Sequence, residues 1–141
     1  MRAFVSYRHT GESEDSIKPL LEAVRETLAA RGVSIHNTFF DVREGRFDKP
    51  GLEPKEFMRE AFKMMDRSDF LLVLQTSEER SEGMLMEVGY AIAKQLPVVV
   101  ATRSGVAGTY LPQMGSLSFQ WGDEEQLRDQ LGRLDLAAIA K

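Results

Sequence analysis

Apolar and polar positions alternate along this chain in two different periods, and the switches between them mark out the elements. Ala3 to Ser6 is a short apolar run that reads as a buried strand. A polar stretch from Tyr7 to Asp15 follows it. Ile17, Leu20, Leu21, Val24 and Leu28 then recur at helical spacing. Asp15 or Ser16 is the expected cap of that helix, Pro19 falls in its first turn, and Gly32 supplies the stop. Val33 to Phe39 is the second predicted strand, and a charge-rich loop from Asp41 to Glu53 leads to Pro54. The helix that Pro54 opens has Phe57/Met58, Ala61/Phe62 and Met65 as its inward stripe. Phe70 to Leu74 and Pro97 to Thr102 are continuous apolar runs, as strands buried on both faces are. Between them a third helix starts at Ser81. A loop from Gly105 to Gly115, with a short helical turn in it, precedes Leu117, Phe119 and Trp121, which alternate with polar residues as an edge strand does. Asp123 caps a last helix carrying Leu127, Leu131 and Leu134.

Strands alternating with helices five times predict an α/β fold. The economical arrangement is a three-layer, doubly wound, five-stranded parallel sheet of order 2-1-3-4-5, flavodoxin-like or Rossmann-like, because strand–helix–strand units join parallel strands by right-handed crossovers. Ligands in such sheets bind outside the carboxyl ends of strands 1 and 3, where the order reverses. The loops that meet there run from Tyr7 to Asp15, from Gln75 to Ser81 and from Asp41 to Glu53.

Length and composition narrow the function. The 141 residues fit a single domain, 1–141, long enough to bury a full core. With no cysteine and only two histidines, His9 and His36, neither disulfides nor a typical zinc site is expected, and no metal or cofactor is assigned. The net charge of −4 and the scattered basic residues argue against a DNA or RNA surface. No apolar run reaches membrane-spanning length and the first residues lack a signal-peptide pattern, so a cytoplasmic location is expected.

Chemistry concentrates in Ser81-Glu-Gly83-Met-Leu-Met-Glu87-Val-Gly89-Tyr90-Ala91. Glu87 sits on the second turn of its helix and points back toward the crevice. Gly83 lies one turn before it and Ala91 one turn after, on the same face. Either these small neighbours clear space for an approaching ring, or they let the helix pack on the sheet and Glu87 is a solvated acid. Ser81 is first a helix cap, and the free amides of that helix start could also receive an anion. Arg8 and His9 follow strand 1 and overhang the crevice. With Gly11 they form either a donor-rich phosphate loop or an exposed polar one. Neither G-x-G-x-x-G nor a Walker pattern occurs. The methionines are mostly core fillers, with one or two lining an aromatic ligand's face.

The run Ser81-x-Gly83-x-x-x-Glu87-x-Gly89-Tyr90-Ala91, ahead of a strand beginning at Pro97, resembles the signature of the nucleoside 2-deoxyribosyltransferase superfamily, which includes deoxynucleoside 5′-monophosphate N-glycosidases. The resemblance implies an enzyme that cleaves or transfers the N-glycosidic bond of a (deoxy)nucleoside or its 5′-monophosphate. Glu87 would be the nucleophile at C1′, Ser81 and Gly83 would bind substrate, and Tyr7, Arg8 and His9 would lie in the loop contacting sugar and phosphate. It also implies a homodimer or larger oligomer, with the Met/Phe-rich second helix as a plausible interface. One departure stands out: the family's catalytic aspartate, eight residues before the aspartate that opens the third strand, is Ala61 here. Phe4-Val-Ser-Tyr-Arg resembles, in addition, the first box of Toll/interleukin-receptor (TIR) domains. Their NAD-cleaving members carry a helix glutamate six residues after a serine. A TIR-like NAD hydrolase or signalling domain is therefore one alternative, and a noncatalytic nucleotide-binding or protein-interaction domain is another.

Overall fold

The computed structural model describes residues 1–8, 13–37 and 53–139. Expectations attached to His9 and Gly11, and to the loop up to residue 52, lie outside the described residues. Eleven elements follow one another among them: β1 (Arg2–Tyr7), α1 (Glu14–Ala29), β2 (Ser34–His36), α2 (Pro54–Asp66), β3 (Phe70–Gln75), α3 (Glu82–Ala93), β4 (Val98–Arg103), α4 (Leu111–Met114), β5 (Leu117–Trp121), α5 (Glu124–Gly132) and α6 (Leu136–Ile139). The five strands form one parallel sheet of order β2-β1-β3-β4-β5, the flavodoxin-like arrangement expected from the alternation of periods.

The two faces of the sheet carry separate cores. Ala3, Val5 and Tyr7 of β1, with Phe70, Leu72 and Leu74 of β3, pack against Ile17, Leu21, Val24 and Leu28 of α1 and Leu127 and Leu131 of α5. Phe4 of β1 and Leu71 and Val73 of β3 face the other way, onto Ala61 and Met65 of α2 and Met84, Val88 and Ala91 of α3. Successive residues of a strand point to opposite faces, so each continuous apolar run serves both layers. In β5 the burial alternates, as it does in a strand with one side wet.

Several boundaries differ from the expectation for local reasons. The cap of α1 is Ser13, whose hydroxyl accepts from the Ser16 amide at 3.2 Å, rather than Asp15 or Ser16. Pro19 consequently falls in the second turn. The amide it lacks would have bonded the Asp15 carbonyl, and both residues are exposed, so water can take that place. Gly32 does supply the stop, with φ at +79°. The described part of β2 ends at His36, where Asn37 leaves the strand and donates its side-chain amide to the Val5 carbonyl at 3.0 Å. Only Ala61 and Met65 of the α2 stripe are fully buried, while Phe57, Met58 and Phe62 are half-buried. The last predicted helix stops at Gly132, and Leu134 follows it as a separate buried side chain ahead of α6. At the β4–β5 connection a Cβ on Gly115 would meet the Leu117 carbonyl oxygen at 2.6 Å, which reserves that position for glycine.

Candidate active site

Parallel strands bring the ends of β1, β3 and β4 to one edge. Ser6 pairs with Val73, and Gln75 with Thr102. Helices returning between parallel strands run opposite to them, so the starts of α2 and α3 lie at that edge too. Ser6 shares the orientation of Phe4 and so faces α3. There its hydroxyl donates to Oε1 of Glu87 at 2.6 Å, a bond across 81 positions of sequence. This short contact is in the range of a charge-assisted hydrogen bond.

Glu87 is 7% exposed. Loss of water pushes its carboxyl up from 4.5 to about 7, and the Ser6 bond partly opposes that rise. The solvated surface acid allowed by spacing alone is thus excluded. Val5, Ser6 and Tyr7 of β1, Phe57 and Met58 of α2, and Ser81, Gly83 and Met84 at the start of α3 enclose the space beside the carboxyl. That space is about 20 Å³, room for a single water molecule. A Cβ added to Gly83 would meet nothing within 4 Å, so the residue leaves open space rather than relieving a clash.

The other predicted residues divide between this cavity and its rim. Ser81 caps α3, its hydroxyl accepting from the Met84 amide at 3.3 Å, and it also borders the cavity. Tyr7 borders the cavity as well, although its side chain belongs to the core on the α1 face. Arg8 extends to the loop after β3, where its guanidinium pairs with Glu79 at 3.0 Å and stays largely covered. His9 is outside the described residues. Ala61 is fully buried among Phe4, Met65 and Leu71, so that position holds packing and no acid. No group of three or more His, Cys, Asp or Glu that could hold a metal is found among the described residues.

Three participants were not singled out from sequence. Ser6 could have been found by counting alternation from Phe4 to the strand's end, which puts it on Glu87's face and edge. Phe57 and Met58 looked like core. Their place in the first inward turn of a helix starting at the carboxyl edge is the signal that they border the crevice. On the outer side of Glu87's helix, Tyr90 stacks on Phe62 at 4.1 Å between centroids and 3° between planes, and its hydroxyl donates to Asp66 at 2.6 Å. These contacts tie α3 to the last turns of α2.

A doubly wound sheet with a buried carboxyl at its switch point defines a class of small-molecule site. A family model described as nucleoside 2-deoxyribosyltransferase matches residues 13–117, and the chain belongs to that family. Among solved structures it is similar to a CMP N-glycosidase of Clostridium botulinum, with a TM-score of 0.69 and 14% identity over 95% of this chain and 100% of the other. It is similar also to a 2-deoxyribosyltransferase of Bacillus psychrosaccharolyticus, with a TM-score of 0.68 and 14% identity over 99% and 96% of the two chains. A conserved protein of Enterococcus faecalis V583 follows at 0.59 and 16% identity, over 94% and 98%. At these identities the likeness is one of fold. No curated protein matches the chain in sequence.

Proposed function

We propose that this protein is an N-glycosidase or deoxyribosyltransferase that breaks the N-glycosidic bond of a (deoxy)nucleoside or its 5′-monophosphate, with Glu87 as the nucleophile. The observation that carries this reading is the Ser6–Glu87 hydrogen bond, which fixes a buried carboxyl at the switch point of a sheet belonging to this family. In its ionised form Glu87 attacks C1′ as the base departs, and water or a second base resolves the glycosyl-enzyme ester. Ser6 holds the attacking carboxyl in one orientation. In this reading Ser81 and the first amides of α3 receive the 5′-phosphate, which the helix dipole favours as an anion. Tyr7, Arg8 and His9 complete the sugar-side loop in this reading. Residues 1–141 act as one domain and assemble as a homodimer or larger oligomer.

The test is a panel of deoxynucleosides, ribonucleosides and their 5′-monophosphates, with free base followed by chromatography. Glu87→Gln should lower turnover by at least ~10³-fold while preserving the circular dichroism spectrum. Undiminished turnover in that variant removes Glu87 from the mechanism.

A further inference from the structure

The two carboxyl oxygens of Glu87 stand in different surroundings. Oε1 accepts from the Ser6 hydroxyl at 2.6 Å. Oε2 accepts no hydrogen bond among the described residues, and it is not one of the buried polar atoms left without a partner, so solvent still reaches it. Ser6 is 1% exposed and belongs to β1, an inner strand paired with β2 on one side and β3 on the other, where its own partner is Val73. A donor built on so fixed a strand does not follow a carboxyl that turns, and the bond therefore selects which oxygen is held.

Ser6 also acts on Glu87 with little competition from its other described neighbours. Toward the carboxyl, α2 presents Phe57 and Met58, and the start of α3 presents Ser81 and Met84, none of them charged. Tyr7 is the other titratable residue bordering the space, and its side chain packs on the far face of the sheet. Arg8 is engaged by Glu79 in the loop after β3. An oxygen that already accepts a short, charge-assisted hydrogen bond has its electron density engaged, which leaves the other oxygen the better nucleophile.

We propose that Ser6 divides the work of the carboxylate: it holds Oε1 through the whole reaction, and Oε2 is the atom that bonds to the anomeric carbon. Ser6 is thus a positioning residue that acts through Glu87. This rests on the reading of Glu87 as nucleophile. In the first step Oε2 bonds to C1′, the carbon–nitrogen bond breaks, and its electron pair leaves with the base, which takes a proton from solvent. Oε1 is then the carbonyl oxygen of the ester and still accepts from Ser6. Water attacks C1′, the bond to Oε2 breaks with its pair returning to the carboxylate, and the proton lost by that water balances the one taken up. One donor therefore stabilises the anion that attacks and the same anion as it re-forms.

The experiment compares Ser6→Ala with Ser6→Thr, which keeps the hydroxyl. In protein isotope-labelled at its glutamate carboxyls, NMR follows the Glu87 signal, assigned by its loss in Glu87→Gln. That signal should titrate about one unit higher in Ser6→Ala than in the parent, because losing a donor disfavours the charged form. With the best substrate of the nucleoside and nucleotide panel, the rising limb of kcat/KM should move up with it. On the high-pH plateau, where Glu87 is ionised in both proteins, kcat of Ser6→Ala should still be lower by ~10-fold or more with KM little changed, which is the signature of lost orientation. Ser6→Thr should recover most of both effects. An unmoved Glu87 titration or an unchanged plateau kcat in Ser6→Ala, or a Ser6→Thr no better than Ser6→Ala, overturns this inference and leaves the N-glycosidase reading intact. No base from any compound overturns both.

Discussion

Keeping Glu87 out of water makes the folded protein bind a proton more tightly than the unfolded chain does. The folded carboxyl titrates at about 7 and the unfolded one at 4.5. Stability is therefore greatest below pH 4.5 as far as this group is concerned, and it falls as pH rises through 7, by roughly 3 kcal/mol in all. Glu87→Gln removes that loss and leaves an acceptor for the Ser6 hydroxyl. Urea denaturation at pH 4.5 and pH 8 should show the variant's advantage over the parent growing by about that amount. An advantage independent of pH would mean that Glu87 is not shielded from solvent. At this scale the sequence was informative about Glu87 and silent about its partner. The motif puts the carboxyl at the right turn of the right helix. The Ser6 bond spans two elements brought together only by the order of the sheet.

Among the elements, α2 does more than cover the sheet. Its end is held to α3 by the Phe62–Tyr90 stack and the Tyr90–Asp66 hydrogen bond, and its start lays Phe57 and Met58 over the Glu87 cavity. Phe57 is thus one of the groups that keep water from the carboxyl. Phe57→Ala should admit water and lower the penalty for ionising Glu87. The rising limb of kcat/KM should then move toward lower pH by about one unit. Lost packing at this half-buried site should cost about 1–2 kcal/mol of stability. A limb that stays in place would show that the remaining walls alone exclude solvent. The helical period of α2 was readable, but depth of burial was not. Periodicity reports which face turns inward, while the open end of a crevice decides how far Phe57 and Met58 are covered. Cap competition explains the start of α1 in the same way: several adjacent polar residues can cap, and Ser13 takes the role because its hydroxyl reaches the Ser16 amide.

For the whole molecule, the sheet order followed from alternation and chirality, since few topologies join five parallel strands with a helix between each pair. Assembly was less accessible. The Met/Phe-rich second helix is the interface the resemblance implies, and the large apolar side chains most exposed among the described residues lie on other elements. Leu85 and Ile92 of α3 are each 48% exposed, and Tyr110, just before α4, is 78% exposed. With Met114 they line one cleft between α3 and α4, which shares Ser81 and Met84 with the lining of the Glu87 cavity. A cleft with a protruding ring on its own rim can meet a second copy of itself around a two-fold axis. If the proposed dimer forms through this cleft, Ile92→Glu shifts the protein toward monomer in light scattering, and a wild-type protein that is monomeric at working concentration removes the dimer from the proposed function. The unfolding measurements gain from Trp121, the chain's single tryptophan. Its ring is buried in the core on the α1 face, with the Arg103 guanidinium 5.4 Å from its centroid. Glu87 belongs to the opposite layer. The indole is an optical probe already in place: its emission follows global unfolding, and a ligand that binds the folded crevice shows itself there as a raised unfolding midpoint.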